Sequence, residues 1–168
     1  MQIGGGVPAA PRGAGAGPVE GVWRLAAPSR ESSVPQARHA VRDLLAAQGL
    51  AGQPPYEDLL QGLLLIVSEL VTNAVQHAAV LSPQIVVEVV IGGGWVRVSV
   101  EDSHPYRPTA LQNDHGRTGG RGLLLVKAIT QEVGGACDVH RTVSGGKAVW
   151  ASLPLPAPRP ASYAVPPR

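Results

Sequence analysis

Glu69 and Asn73 are four residues apart within the run Leu63-Leu64-Leu65-Ile66-Val67-Ser68-Glu69-Leu70-Val71-Thr72-Asn73-Ala74-Val75-Gln76-His77-Ala78. Side chains at that spacing share one helix face, so a carboxylate and a neutral amide oxygen project together from one rigid surface. An ionised carboxylate in so apolar a run is costly to bury unless a cation or hydrogen-bond donor compensates it. The pair suits a magnesium-bound phosphate better than it suits a core. Taken alone it equally fits a solvated helix face, so the rest of the chain has to decide. His77 lies a further turn along. It either faces the same ligand or bonds locally near the helix end.

Two other stretches carry chemistry. Asp102 stands where the strand-like run Trp95–Glu101 ends, and a long polar segment from Ser103 to Thr118 follows without periodicity. A structureless segment of that length is either functional or disordered. Gly119-Gly120-Arg121-Gly122 then opens directly into Leu123-Leu124-Leu125-Val126-Lys127-Ala128-Ile129. Glycines permit close backbone approach to a ligand, and a helix start offers free N–H groups to an anion. A hinge would use the same residues.

The elements that must position these groups follow from periodicity. Leu60, Leu64, Val67, Val71, Ala74 and Ala78 recur at three- and four-residue steps, which predicts a helix from about Tyr56 to Ala79 buried on one side. Ahead of it, Val22 to Ala26 reads as a short strand ended by Pro28. Ser32 and Ser33 offer an N-cap to a helix with Val34, Ala37, Val41, Leu44 and Leu45 on one face, stopping near Gly49. Arg38 and His39 are expected in solvent. Ile85–Ile91 and Trp95–Glu101 are β-branched runs around Gly92-Gly93-Gly94, an antiparallel hairpin in which Val96, Val98 and Val100 pack. Ala136–Thr142 and Lys147–Leu153 form two more strands, with Thr130–Val133 a candidate for another, and Trp95 and Trp150 are expected to pack on the sheet. The fold class is α+β, an antiparallel or mixed sheet covered on one face by three helices.

Composition narrows the function. The 168 residues suffice for one domain with a core, 44% are hydrophobic and 15% charged, and Phe is absent. The net charge of +2 comes without a basic stripe or interleaved aromatics, which argues against direct nucleic-acid binding. Cys137 is the single cysteine, so neither an intramolecular disulfide nor a cysteine metal cluster can form, and a small buried hydrophobe is its default role. His104 and His115 show no metal-site spacing. No apolar leader is visible in Met1–Pro18, and no segment reads as a membrane span, so a cytoplasmic protein is expected. Residues 1–20 are expected as a disordered Gly/Ala/Pro-rich arm, 21–154 as the folded domain, and 155–168 as a disordered Pro-rich tail.

In order, these features resemble the GHKL ATP-binding fold, the Bergerat-type sandwich. They are a helix with Glu-x-x-x-Asn, a hairpin ending in Asp, a long loop, a Gly-x-Gly helix start and a final Gly-Lys-Ala-Val-Trp strand. The strings Ser68–Ala78 and Thr118–Val126 look most like the short bacterial anti-sigma-factor serine kinases, and the resemblance covers Val22 to Pro154. It implies ATP and Mg²⁺ as cofactors, with Glu69 as general base and Asn73 as metal ligand. Asp102 would accept a hydrogen bond from the exocyclic amine of adenine. Thr118, Gly119, Gly120, Arg121, Gly122 and the amide of Leu123 would surround the phosphates, and His77 is a further candidate there.

Two departures stand out. Ser103-His104-Pro105-Tyr106 follow Asp102 where the family places glycines, and Lys147-Ala148 stand where many relatives carry a threonine. The resemblance implies a serine/threonine protein kinase that binds a sigma factor and phosphorylates an antagonist protein. The alternative is a nucleotide-gated binding module without phosphotransfer. The catalytic half of a histidine kinase is a third reading, in which His39 makes a poor phosphoacceptor. A homodimer is compatible with any of them.

Overall fold

The computed structural model describes residues 20–78, 83–104 and 121–157, without the side chains of residues 77 and 78. In chain order the elements are β1 (Gly21–Pro28), α1 (Ser33–Ala47), α2 (Tyr56–Ala78), β2 (Gln84–Gly92), β3 (Trp95–Asp102), α3 (Arg121–Glu132), β4 (Ala136–Arg141) and β5 (Lys147–Pro154). The five strands form one sheet in the order β1-β2-β3-β5-β4. Every neighbouring pair is antiparallel. The expected α+β class, with helices packed on an antiparallel sheet, is what the chain adopts.

Strand alternation separates the two faces of the sheet. Leu25, Val87, Val98 and Ala151 point to the helices and are buried with the rest of the core. The opposite face carries Arg24 bridged to Glu88 at 2.9 Å and to Glu101 at 3.6 Å. Arg97 also lies there, 4.2 Å from the centroid of the Trp150 ring. Trp95 is exposed on this open side, the face that alternation with Val96, Val98 and Val100 gives it.

The central helix is α2, flanked by α1 and α3 and lying over β3. Leu63, Leu64, Ile66, Val67, Leu70 and Val71 are all almost fully buried. Each such side chain contributes about 1.5–3 kcal/mol relative to exposure. By length and composition α2 could span a membrane, with a mean hydropathy of 1.4 over Tyr56–Gln76, although no segment was expected to be long and apolar enough to do so. In this fold its apolar side lies instead against the sheet and the two flanking helices.

Helix ends follow backbone logic. Leu50 N–H reaches the Leu45 carbonyl at 2.8 Å, Gly49 N–H reaches Ala46 at 3.0 Å, and Gly49 has φ of 77°. That is the Schellman arrangement, closed by the buried Leu50 side chain. Helix α3 ends in the same manner, with Gly134 at φ of 73° and Gly135 N–H on the Thr130 carbonyl at 2.7 Å. The expected strand at Thr130–Val133 is therefore corrected. Helix α3 runs to Glu132, and Thr130 Oγ1 is held inside it by a 2.9 Å bond to the Lys127 carbonyl. Ser32 makes no side-chain cap, and Ser33 Oγ donates to the Pro28 carbonyl at 2.6 Å, tying the end of β1 to α1. Cys137 is half-buried, with the Thr130 hydroxyl 3.7 Å from its Sγ.

Gly146 is buried at the start of β5 with no room for a side chain. A Cβ there would run into the Asp102 carbonyl oxygen and the Ser103 backbone. Because backbone cannot swing aside, Gly146→Ala is expected to destabilise by about 1–3 kcal/mol. The urea midpoint should fall accordingly, and an unchanged midpoint would contradict this packing.

Candidate functional site

The half-buried face of α2 carries Ser68, Glu69, Thr72 and Asn73. This follows from the burial of the other side of the helix, since the residues that cannot face the sheet are left on the rim. Ser68 Oγ donates to the Leu64 carbonyl at 3.0 Å and accepts from Arg38 Nη1 at 2.7 Å. Arg38 was expected in solvent and is instead the polar tie between α1 and α2. His39 beside it is exposed.

Helix α3 starts directly against this face. A Cβ placed on Gly122 would overlap the Glu69 Oε2 atom and come within 3.3 Å of its carboxyl carbon. The predicted base and the predicted glycine helix start are therefore in contact, although 53 positions separate them in the chain. Asn73 is one turn further along α2 and also half-buried. A carboxylate at a helix N-terminus lies against free N–H groups and the positive end of the helix dipole. Leu123 is buried and Arg121 is exposed. Thr118, Gly119 and Gly120 lie outside the described residues, as does the side chain of His77.

At the end of β3, strand alternation puts Asp102 on the helix-facing side with Val96, Val98 and Val100. Lys147 is its Cα partner across β3 and β5. Lys147 Nζ lies 3.0 Å from Asp102 Oδ1, and each side chain is 1% exposed. The backbone N–H of His104 donates to the same oxygen at 2.8 Å. A chain reading could not supply this ion pair, because it depends on register between strands 45 residues apart. The one available signal was the lysine opening an otherwise apolar strand.

Among the described residues no group of three or more His, Cys, Asp or Glu comes together. Among the described residues the Glu69 carboxylate touches the start of α3, and Asn73 adds an amide oxygen one turn along α2. That set fits Mg²⁺, which keeps several waters and takes one or two protein oxygens plus phosphate. It does not resemble an all-protein zinc or calcium cage.

A five-stranded antiparallel sheet with helices on one face, and an acid–amide pair on the central helix, together define an ATP-binding α/β sandwich. Residues 27–153 match the histidine kinase-like ATPase domain, and the chain belongs to that family. The blue-light-activated histidine kinase EL346 of Erythrobacter litoralis is similar in structure through its kinase domain. The match has 25% identity and a TM-score of 0.49, covering 76% of this chain and 61% of that one. Full-length ShkA in complex with AMPPNP matches at 24% identity and a TM-score of 0.46, covering 77% and 31%. The E. coli osmosensor EnvZ kinase domain matches at 22% and 0.41, covering 60% and 68%. The chain thus spans less than two thirds of the length of EL346 and ShkA. No curated protein matches.

Breaking a buried ion pair from one side strands the other charge. Lys147→Ala is expected to destabilise by about 3–5 kcal/mol, whereas Lys147→Met with Asp102→Leu should return close to wild-type stability. Guanidinium denaturation of the three proteins checks this. Equal losses in the single and double variants would contradict a fully desolvated pair.

Proposed function

We propose that this domain binds Mg-ATP between the rim of α2 and the start of α3 and acts as an anti-sigma-type serine/threonine protein kinase. The observation that carries the reading is the contact of the Glu69 carboxylate with Gly122 at the N-terminus of α3, with Asn73 one turn away on the same face. A helix start supplies N–H groups to phosphate oxygens. Asn73 supplies the amide oxygen that would hold Mg²⁺, whose chemistry is to neutralise phosphate charge. Glu69 accepts the proton of an incoming serine or threonine hydroxyl, a role that suits a carboxylate on a half-buried wall. Asp102 is assigned to the exocyclic amine of adenine, and Thr118, Gly119, Gly120, Arg121, Gly122 and Leu123 to the phosphate end. A sigma factor and its antagonist protein are the partners this reading implies, and the cytoplasm is the compartment.

A second reading is favoured by one specific feature. Oδ1 of the Asp102 carboxylate is already engaged by Lys147 and the His104 amide. A module that holds a partner when nucleotide is bound, without transferring phosphate, tolerates such a weakened base site.

Purified protein with labelled Mg-ATP and the candidate antagonist separates the two. Label on a serine or threonine of the partner supports the kinase, and nucleotide-dependent complex formation without label supports the module. Under the kinase reading Glu69→Ala retains ATP binding and loses transfer by at least about a hundredfold, the scale of general-base catalysis. Asn73→Ala should lose the Mg²⁺ dependence of binding. Gly122→Ala stays folded, since helix propensity favours alanine by up to about 1 kcal/mol. It should nevertheless lose transfer, because its methyl group displaces the Glu69 carboxylate. Transfer at the wild-type rate in Gly122→Ala would contradict the role given to that contact.

A further inference from the structure

We propose that the open face of the sheet is a docking surface for a proline-rich peptide, and that its occupant is the chain's own segment 158–168, laid across Trp95 and Trp150. The inference is independent of the nucleotide reading, because the sheet separates this face from α2 and α3.

The surface itself comes first. Strand alternation puts Val22, Trp95, Arg97 and Trp150 on the open side, where Val22 is 61% and Trp95 40% exposed. Arg97 lies 4.2 Å from the centroid of the Trp150 ring, a cation–π contact that fixes the indole. Ser99 is the register partner of Trp150, so the two tryptophans stand four residues of β3 apart, about 13 Å. A polyproline II chain rises about 3.1 Å per residue, so four of its residues match that interval. Aromatic-lined surfaces take such chains because they are stiff before they bind and lose little conformational freedom.

The choice of occupant follows from where the chain leaves the sheet. Pro154 is the register partner of Trp95. Leu155 N–H donates to the Gly94 carbonyl at 2.8 Å and its side chain packs on the core, which leaves Pro154 on the open side beside the indole. After Ala157 the sequence reads Pro158-Arg159-Pro160-Ala161-Ser162-Tyr163-Ala164-Val165-Pro166-Pro167-Arg168. At about 3.1 Å per residue this reaches roughly 34 Å. That suffices to turn back at the end of β5 and cross a five-stranded sheet roughly 19 Å wide.

Charge agrees with the assignment. Segment 158–168 carries Arg159 and Arg168 and no acidic residue. The face offers the converse, since Arg24 is shared between Glu88 at 2.9 Å and Glu101 at 3.6 Å, two carboxylates for one guanidinium. Residues 1–19 join β1 at the same end of the sheet, yet they hold a single arginine and no aromatic residue, and they match the surface less well.

Indole N–H resonances of the full chain test this. Replacing Pro158→Gly, Arg159→Glu and Pro160→Gly together should shift the Trp95 and Trp150 signals and leave that of Trp23, which packs against the core, in place. A synthetic peptide of residues 157–168 then serves as the probe. A tethered segment competes at an effective concentration in the millimolar range, so the peptide should bind the triple variant at least about tenfold more tightly than the wild type. Adding Trp95→Ala, a change at an exposed side chain, should weaken the peptide at least about tenfold without lowering the melting temperature. Identical Trp95 and Trp150 signals in wild type and triple variant, or peptide affinity indifferent to Trp95→Ala, overturns the docking surface. Wild-type signals that move toward those of the triple variant on dilution overturn the intramolecular occupant and assign the face to the segment of a second copy.

Discussion

Burial of one side of α2 is the constraint on which the rest depends. The helix is apolar enough that most of its surface must be removed from water, and the sheet offers one face wide enough to do it. Once Leu63, Leu64, Val67, Leu70 and Val71 are committed to that face, helical geometry leaves Ser68, Glu69, Thr72 and Asn73 on the rim. The polar groups are thus placed by what the apolar groups require. Glu69 could not be rotated away from α3 without lifting several leucines and valines off β3.

The second constraint is the end of the sheet where β3 and β5 finish together. There the core gives way to Asp102 and Lys147, both on the helix side and both shielded. Ion pairs of this kind add little net stability compared with apolar residues of the same volume, because desolvation offsets their attraction. What the pair does is fix a charge-neutral plug at the edge of the core. The rigidity of Gly146 against the Asp102 carbonyl keeps that plug in register. The acid–amide face and the buried ion pair are therefore built on different supports, one on α2 and α3, the other on two strands.

Local patterns made most of this readable in the chain. The 3.6-residue spacing in α2, the β-branched hairpin around Gly92–Gly94 and the apolar run of α3 after Gly122 each depend on residues close in sequence, and each took the expected form. The failures came where tertiary contact outweighs local preference. Thr130 and its β-branched neighbours suggested a strand, yet the sequence up to the Gly134–Gly135 stop lets α3 run on with Thr130 bonded back to Lys127. Arg38 looked like a solvated residue until α1 was laid beside Ser68. The pairing of Lys147 with Asp102 depends on a long-range register that no periodicity encodes.

The claim that nucleotide lies between α2 and α3 is tested most directly by following backbone amide resonances of the full chain during titration with Mg-ATP. The account predicts the largest shifts at Glu69, Asn73, Gly122 and Leu123, with smaller ones at Asp102 and His104. Shifts confined to the open face of the sheet around Arg24, Arg97 and Trp150, or none at saturating nucleotide, would contradict it.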